Sequence, residues 1–364
     1  MRQLHDGSRG ILSNLSTKVL INDTFWGGGE KNTPIFVYTG NEGDIEWFAQ
    51  NTGFMFETAP HFQALLGFIE SFYYKDIAYS NASTLGYLSS TQSLADYATL
   101  IIDLKKNLTA TDSPVVVLGV SYGGMLAAWF RLKYPHVTIG ALASSSPILN
   151  FENIASPYSF NDIVTQDYRS ESENCYQVIK GSWQQIGEAA SEVLQKSFRI
   201  CDNYFDKGWL DTAYTCAAMT DYPTPSNFMS PLPAYPVKQV HVYTNLYGAA
   251  TIHYNHTGNA TCFYLADDSD PHGLRESTWQ VCTEMIMLDG TDGITCIRQY
   301  PCFLRIVAGV YRDDNEGVLM RRAYFQLLSG TTVAKNLTTE IALALSLDPI
   351  GLQQSLMAMI LRGF

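Results

Sequence analysis

The stretch VVVLGVSYGGMLAAWFRLKYPH, residues 115–136, joins a short strand to a helix at a glycine-rich corner. Its first residues are continuously apolar and β-branched, which is typical of a strand buried on both faces. Apolar residues at three- and four-residue spacing then predict a helix that ends near Tyr134. Gly119 and Gly123 stand two residues before and two after Ser121, where a tight strand-to-helix turn has no room for a Cβ atom. The stretch therefore predicts that Ser121 is a nucleophile at this corner.

The alternative interpretation is a structural glycine-rich turn, because a bare G-x-S-x-G string also occurs by chance. The strand before it and the helix after it are the context that a nucleophile elbow requires. In the sequence before and after this stretch, predicted strands and helices also alternate. Strands are predicted at 34–38, 64–69 and 139–143, and helices at 54–62 and 91–106. Alternating strands and helices predict an α/β fold, with a mostly parallel sheet covered by helices on both faces.

From about residue 156 the sequence changes character and becomes rich in aromatic residues, cysteine and proline. This change predicts a separate, largely helical insertion that is held by disulfides. We therefore expect three parts: a core with the nucleophile at 20–155, a helical, disulfide-bearing insertion at 156–287, and a divergent tail at 288–364. In the tail, the last part of the core is expected to be missing or altered.

The composition excludes several classes of protein. A net charge of −12 disfavours binding to nucleic acid, because phosphates would be repelled, and no basic run occurs anywhere in the chain. A hydrophobic content of 46% excludes a disordered chain. No apolar run reaches the length of a transmembrane helix, so no membrane insertion is expected.

The compartment is indicated by glycosylation sequons and cysteines. The first 18 residues are polar and lack the apolar centre of a signal peptide, which alone would favour the cytosol. N-x-S/T sequons are nevertheless frequent and have meaning only in the secretory route. They stand at Asn14, Asn22, Asn81, Asn107, Asn255, Asn259 and Asn336. We predict a lysosomal, vacuolar or extracellular protein whose chain has lost its original start.

The seven cysteines all lie at residue 175 or later. None of them shows a CxxC or Cys–His spacing of the zinc-site type, so disulfides are expected and a metal site is not. They are Cys175, Cys201, Cys216, Cys262, Cys282, Cys296 and Cys302. Because seven is odd, at least one thiol has no partner within the chain.

Three stretches carry a resemblance to a known family. They are FVYTGNEGDIEWFAQNTGFM at 36–55, GVSYGGMLAAWFRLKYPH at 119–136 and TWQVCTEM at 278–285. They resemble the family of lysosomal Pro-X carboxypeptidase and dipeptidyl peptidase II, with closer similarity to the Pro-X carboxypeptidase branch. The resemblance implies a serine exopeptidase with an α/β-hydrolase core and a helical lid, which here is the insertion. It also implies a peptide substrate that is cleaved on the carboxyl side of a proline near one end, without a cofactor or metal.

The resemblance implies Ser121 as the nucleophile. In this fold the backbone N–H of the following residue, here Tyr122, helps to bind the oxyanion. A second N–H comes from the loop after an earlier strand, where Gly43 allows close approach. In the same loop Glu42 and Asp44 are candidates for binding a charged peptide terminus. The alternative for these two acids is that the loop caps the following helix with negative charge at its N-terminus.

The base and the acid of a triad are not identified. In α/β-hydrolases they follow the serine in the order Asp, then His, and no histidine occurs after His272. His272 lies near several acids, but the resemblance puts its segment in the lid. Other candidates are excluded by position or context: His136 ends the elbow helix, and His241, His253 and His256 are expected to be solvated beside sequons.

The family carries its acid in a segment resembling Asn-Gly-x-x-Asp-Pro-Trp and its base in one resembling Gly-Ala-His-His, and residues 288–364 contain neither. Three hypotheses therefore stay open: an active exopeptidase with another base, an impaired relative that only binds peptides, and a generic esterase. The sequence leaves a homodimer open.

Overall fold

The computed structural model describes residues 2–5, 17–71, 88–151, 154–227, 230–243, 247–265 and Glu284. These residues form two compact units, one that runs up to Leu149 and includes Glu284, and one from Asn150 to Leu265. The predicted tail at 288–364, His272 and the sequons at Asn14, Asn81 and Asn336 lie outside the described residues.

The described part of the first unit is built on a six-stranded sheet in the order β1-β2-β4-β3-β5-β6. Its strands are β1 Arg2–His5, β2 Lys18–Asn22, β3 Ile35–Thr39, β4 Leu65–Ile69, β5 Val115–Val120 and β6 Gly140–Ser144. The four strands β4, β3, β5 and β6 are parallel, and β1 and β2 join one edge in antiparallel pairing. The predicted mostly parallel sheet is confirmed.

The burial of the strands explains their sequences. All five residues of β3 and all five of β4 are buried, so both strands are continuously apolar and do not alternate. In β6 every residue is half-buried, and β5 is its only strand partner within the described part of the chain. The sheet is therefore covered most completely at its centre.

Among the described residues, four helices accompany the sheet: α1 Ile45–Asn51, α2 Gly53–Phe62, α3 Ser90–Asn107 and α4 Ser121–Lys133. The amphipathic pattern of residues 91–106 predicts one apolar face, and α3 buries Leu94, Tyr97, Ala98 and Ile101 of that face and half-buries Leu104. Ser89 caps the start of α3 by accepting a hydrogen bond from the N–H of Gln92 at 3.3 Å. α4 is buried along most of its length. It begins directly at Ser121, whereas the spacing of the apolar residues predicts a helix only from Met125 to Tyr134.

The strand order places a topological switch point between β3 and β5. From β3 the chain continues to β4 on one side, whereas from β5 it continues to β6 on the other side. The connections therefore diverge and leave a crevice at the carboxyl ends of β3 and β5, where open α/β sheets bind their ligands. The loop that starts at Gly40 and the corner at Ser121 both follow these two strand ends.

The second unit is helical in its described part, as predicted for the insertion. Its helices are α5 Ser159–Glu171, α6 Glu173–Glu188, α7 Ser191–Phe198, α8 Lys207–Met219, α9 Pro236–Tyr243 and α10 Tyr247–Tyr254. Aromatic rings fill its core, for example Trp209 stacked on Tyr254 with centroids 4.7 Å apart. A disulfide joins Cys201 to Cys262 with a Cα–Cα distance of 5.4 Å, which confirms the expectation of disulfides.

Candidate active site

Ser121 lies at a sharp corner between β5 and α4. Its φ angle is +55°, in the left-handed region that non-glycine residues seldom occupy, while Val120 before it is still extended. The side chain is half-buried at the first residue of the helix. This backbone is the strained strand–turn–helix conformation of a nucleophile elbow.

The glycines around Ser121 are required by close backbone contacts. A Cβ atom on Gly123 would lie 2.6 Å from Oδ1 of Asn41 and closer still to the carbonyl oxygen of Thr39. On Gly119 a Cβ atom would overlap the backbone of Gly123, because the chain passes close to itself at the corner. The steric reason predicted for Gly119 and Gly123 is therefore observed.

Side chains at the end of β3 and just after it hold the corner in place. The hydroxyl of Thr39 is fully buried and donates to the carbonyl of Gly123 at 2.6 Å, with the carbonyl of Leu118 3.0 Å away as a second acceptor. The amide of Asn41 donates to the carbonyl of Val120 at 2.7 Å. These hydrogen bonds hold backbone carbonyls on both sides of Ser121. Sequence reasoning missed both Thr39 and Asn41.

The loop from Gly40 to Asp44 contains three of the predicted site residues. Asp44 caps α1, since its carboxylate accepts a hydrogen bond from the N–H of Glu46 at 3.1 Å. The same carboxylate lies 3.2 Å from the ammonium group of Lys18. Asp44 thus has the capping role that was the alternative for this acid, and its role in substrate binding stays a prediction.

Glu42 and Gly43 precede this cap. Glu42 is half-buried and Gly43 is buried. Burial raises the pKa of the Tyr38 hydroxyl, and the negative charge of Glu42 raises it further. Since the Tyr38 hydroxyl bonds Asn41 at 2.7 Å, the charge of Glu42 acts near the residue that holds the Ser121 corner. A substrate-binding role for Glu42 stays a prediction.

The oxyanion donors proposed from the sequence are backbone groups of Tyr122 and Gly43. Tyr122 is buried and lies in the first turn of α4, where backbone N–H groups point out of the end of the helix. Asn41, two residues before Gly43, is bonded to the residue before Ser121. The two predicted donors therefore belong to segments that meet at the corner, and their joint role in binding an oxyanion is untested.

The described histidines of the first unit do not reach Ser121. His5 ends β1, which is four strands away from β5 in the sheet. His61 lies at the end of α2, just before β4 begins, and His136 lies between α4 and β6. Both residues therefore precede the amino ends of parallel strands, whereas Ser121 follows the carboxyl end of β5. Neither residue can act as the base without a rearrangement of the sheet.

His253 in the second unit is buried, and the expectation that it is solvated was wrong. It lies on α10 with 7% of its surface exposed, and Nδ1 is 3.2 Å from the hydroxyl of Ser230. Burial lowers the pKa of His253 to about 4, because the charged ring would lose its hydration. His256, three residues later, is exposed as expected.

Further expectations concern metals, membranes and glycans. No group of three or more His, Cys, Asp or Glu side chains is arranged to bind a metal in the part of the chain that the structure describes. Over the same residues, no helix combines the length and apolar character needed to cross a membrane. The sequon residues Asn107 and Asn259 are exposed, while Asn22 and Asn255 are half-buried. Glycosylation of these sites stays a prediction.

A mostly parallel sheet with a serine at a strand–helix elbow defines the α/β-hydrolase class. Within this class, residues 14–254 match the family described as Serine carboxypeptidase S28, and the chain belongs to this family. The family predicted from the three sequence stretches is thereby confirmed.

Several proteins similar to this chain are named lysosomal Pro-X carboxypeptidase. Lysosomal Pro-X carboxypeptidase from Bos taurus is 38% identical over 309 residues, which cover 76% of this chain and 62% of that protein. The Homo sapiens protein of the same name is 36% identical over 316 residues, or 78% of this chain and 63% of that protein. Prolyl carboxy peptidase like protein 5 from Caenorhabditis elegans is 36% identical, covering 71% of this chain and 59% of that protein. The chain thus spans about three fifths of the length of these relatives.

Proposed function

We propose that Ser121 is the nucleophile of a serine exopeptidase that hydrolyses the peptide bond on the carboxyl side of a proline near a chain end. The observation that carries this proposal is the backbone of Ser121, which is strained at φ +55° and lies at the switch point of the sheet. Attack by the hydroxyl forms an acyl-enzyme and releases one peptide product, and water then releases the other. Membership of the S28 family supports this chemistry.

Electrostatic stabilisation is the second part of the proposed mechanism. The tetrahedral intermediate carries a negative charge on the former carbonyl oxygen, and the N–H groups of Tyr122 and Gly43 would donate to it. Tyr122 lies at the N-terminus of α4. The positive end of the helix dipole is directed at the same corner and favours the negative charge there. In this scheme Glu42 supplies the charge that recognises a peptide terminus. Asp44 contributes less, because it already pairs with Lys18 and caps α1.

Proton transfer is the step that limits this chain. Serine needs a base, but His61 and His136 precede the amino ends of strands, and His5, the other described histidine of the first unit, lies four strands away from β5. Residues 273–364 contain no histidine, and His272 stays a candidate from the sequence. An impaired relative that binds peptides is therefore the second candidate function. A protein without its base can still retain about 10³- to 10⁴-fold catalysis over water.

The compartment is part of the proposal. The Cys201–Cys262 disulfide supports folding in an oxidising compartment, because such bonds seldom persist in the cytosol. The relatives from Bos taurus and Homo sapiens are named lysosomal. Together these points support the secretory route, with a lysosome, a vacuole or the extracellular space as destination.

A digest of X-Pro-Y peptides tests the proposed function. We expect product release after proline to be at trace level in the 364-residue chain and to be absent in Ser121→Ala. Replacing residues 288–364 with the terminal segment of an active family member, which supplies an acid and a base, is expected to raise the rate at least about 10³-fold. Mass spectrometry of peptides with either end blocked shows which terminus is recognised.

His272→Ala is the control for an unrecognised base. Robust turnover that disappears in both Ser121→Ala and His272→Ala would make His272 the base. Cleavage that persists in Ser121→Ala would refute the proposed nucleophile. Hydrolysis of simple esters without any preference for proline would favour the generic esterase.

A further inference from the structure

Asn41 is a buried amide at the carboxyl edge of the sheet, and both ends of its side chain are engaged. Only 2% of its surface is exposed. Its Nδ2 donates to the carbonyl of Val120 at 2.7 Å, and its Oδ1 accepts from the hydroxyl of Tyr38 at 2.7 Å. A polar side chain at this depth is stable only because both groups are bonded.

The chemistry of the partners fixes the orientation of this amide. The carbonyl of Val120 can only accept, so the nitrogen of Asn41 must face it. The oxygen of Asn41 then faces the hydroxyl of Tyr38, which is protonated at neutral pH and whose pKa burial raises further. The reversed amide would place two acceptors against each other at Val120. Asn41 therefore has one favourable position.

We propose that Asn41 is a positioning residue for Ser121, because it holds the Val120 carbonyl and so maintains the strained backbone from which the Ser121 hydroxyl emerges. Val120 is the residue directly before Ser121, and the peptide group between them carries this carbonyl. Rotation of that peptide group would relax the φ angle of +55°. The inference rests on the proposed function, since it concerns the reactivity of Ser121.

A second layer of contacts supports Asn41 itself. The hydroxyl of Ser71 donates to the backbone carbonyl of Asn41, and Ser93 of α3 donates to the carbonyl of Ser71 at 3.0 Å. At the start of α3, the carboxylate of Glu284 accepts from the N–H of Ser90 at 2.8 Å and from its hydroxyl at 2.6 Å. Glu284, which belongs to the TWQVCTEM stretch of the sequence, thus bonds the helix that supports the Asn41 loop.

Thr138 provides a matched comparison at the other end of β5. It is fully buried, and its hydroxyl lies 2.9 Å from the carbonyl of Val115 and 2.8 Å from that of Gly140. Thr138 therefore holds backbone carbonyls in the same sheet but far from Ser121. A residue that only stabilises the fold should behave like Thr138.

Hydrogen exchange measured by mass spectrometry tests the positioning directly and needs no activity. In Asn41→Ala we expect the peptide that covers residues 119–124 to exchange about tenfold faster, which corresponds to the loss of one buried hydrogen bond. In Thr138→Val the faster exchange should occur at the amino end of β5 instead. Unchanged exchange at residues 119–124 in Asn41→Ala would overturn the proposal, whatever the reactivity of Ser121.

The labelling rate of Ser121 with a fluorophosphonate tests the consequence for chemistry. Asn41→Ala is expected to slow labelling about 100-fold, the effect of a misplacement of about 1 Å. Thr138→Val should label at the wild-type rate in spite of its lower stability. Tyr38→Phe leaves the Asn41 oxygen without its donor, while the Asn41 amide can still donate to the Val120 carbonyl, so a smaller decrease is expected.

Asn41→Asp adds a pH signature that a structural role would not produce. At a pH above the pKa of the introduced carboxyl group, its charged form places an acceptor against the Val120 carbonyl. At a lower pH the protonated acid can donate a hydrogen bond to this carbonyl. Burial raises the pKa of this carboxyl. The labelling rate relative to wild type should therefore rise from about 100-fold lower at pH 8 to within about tenfold at pH 5. If the ratio of the two labelling rates does not change with pH, the proposal is contradicted. If the wild type is not labelled at all, the proposed function is refuted. The hydrogen-exchange test then decides the inference about Asn41.

Discussion

Gly123→Ala is expected to destabilise the first unit by about 3 kcal/mol and to slow covalent labelling of Ser121 at least about 100-fold. The added methyl group would lie 2.6 Å from Oδ1 of Asn41 and closer to the carbonyl oxygen of Thr39. Neither neighbour can yield easily, because both belong to buried, hydrogen-bonded residues at the end of β3 and just after it. The corner must open, and the hydrogen bonds from Thr39 and Asn41 lengthen with it.

Gly140→Ala is the matched control for this change. Gly140 starts the neighbouring strand β6, and a Cβ atom there would meet nothing within 4 Å. Urea unfolding and the labelling rate should both stay near the wild-type values in this variant. If Gly123→Ala unfolds and labels like Gly140→Ala, the close packing of the corner against β3 is not required.

Removal of the Cys201–Cys262 disulfide is expected to lower the free energy of unfolding of the second unit by about 4 kcal/mol. The bond closes a loop of 61 residues, and loop-closure entropy predicts a stabilisation of this size. The variant is the double substitution Cys201→Ala and Cys262→Ala. Urea unfolding followed by tryptophan fluorescence reports on this unit, since Trp183 and Trp209 lie in its core.

Cys175→Ala controls for the loss of a buried cysteine without the loss of a crosslink. Cys175 is buried and is not in a disulfide. We expect it to cost about 1 kcal/mol, because only a small cavity is left. A double variant as stable as Cys175→Ala would show that the disulfide contributes little to stability. Other contacts near the disulfide would then hold the loop. One of them is the hydrogen bond from the N–H of Cys201 to the carbonyl of Phe263 at 2.8 Å.

Local patterns predicted the parts of the fold that depend on neighbours in sequence. The elbow was found because a β-branched strand, two glycines and a helical period stand within about 20 residues. The capping role of Asp44 was foreseen as an alternative, because a helix cap is also a local feature. β1 and β2 were not predicted. The apolar run of β2 is only Val19 to Ile21, and the strand depends on its pairing with β4.

Long-range contacts explain what the sequence did not reveal. Thr39 and Asn41 bond carbonyl groups that are 79 to 84 residues away, and no spacing rule connects such positions. An asparagine directly after a predicted buried strand was the available signal, since polar residues at a switch point tend to serve the site. His253 was expected in solvent because of the sequons nearby, but α10 turns this residue toward the core.

Covalent labelling of Ser121 is the most direct test of the central claim that this residue is a nucleophile held at a strained corner. The folded chain is treated with a fluorophosphonate to completion, and the adduct is located by peptide mass spectrometry. We predict a single adduct on Ser121, formed more slowly than in an intact family member because the base is not in place, and lost in Ser121→Ala or after unfolding in urea. No adduct on Ser121 after exhaustive reaction of the folded chain, or equal labelling of other serines, would contradict this claim.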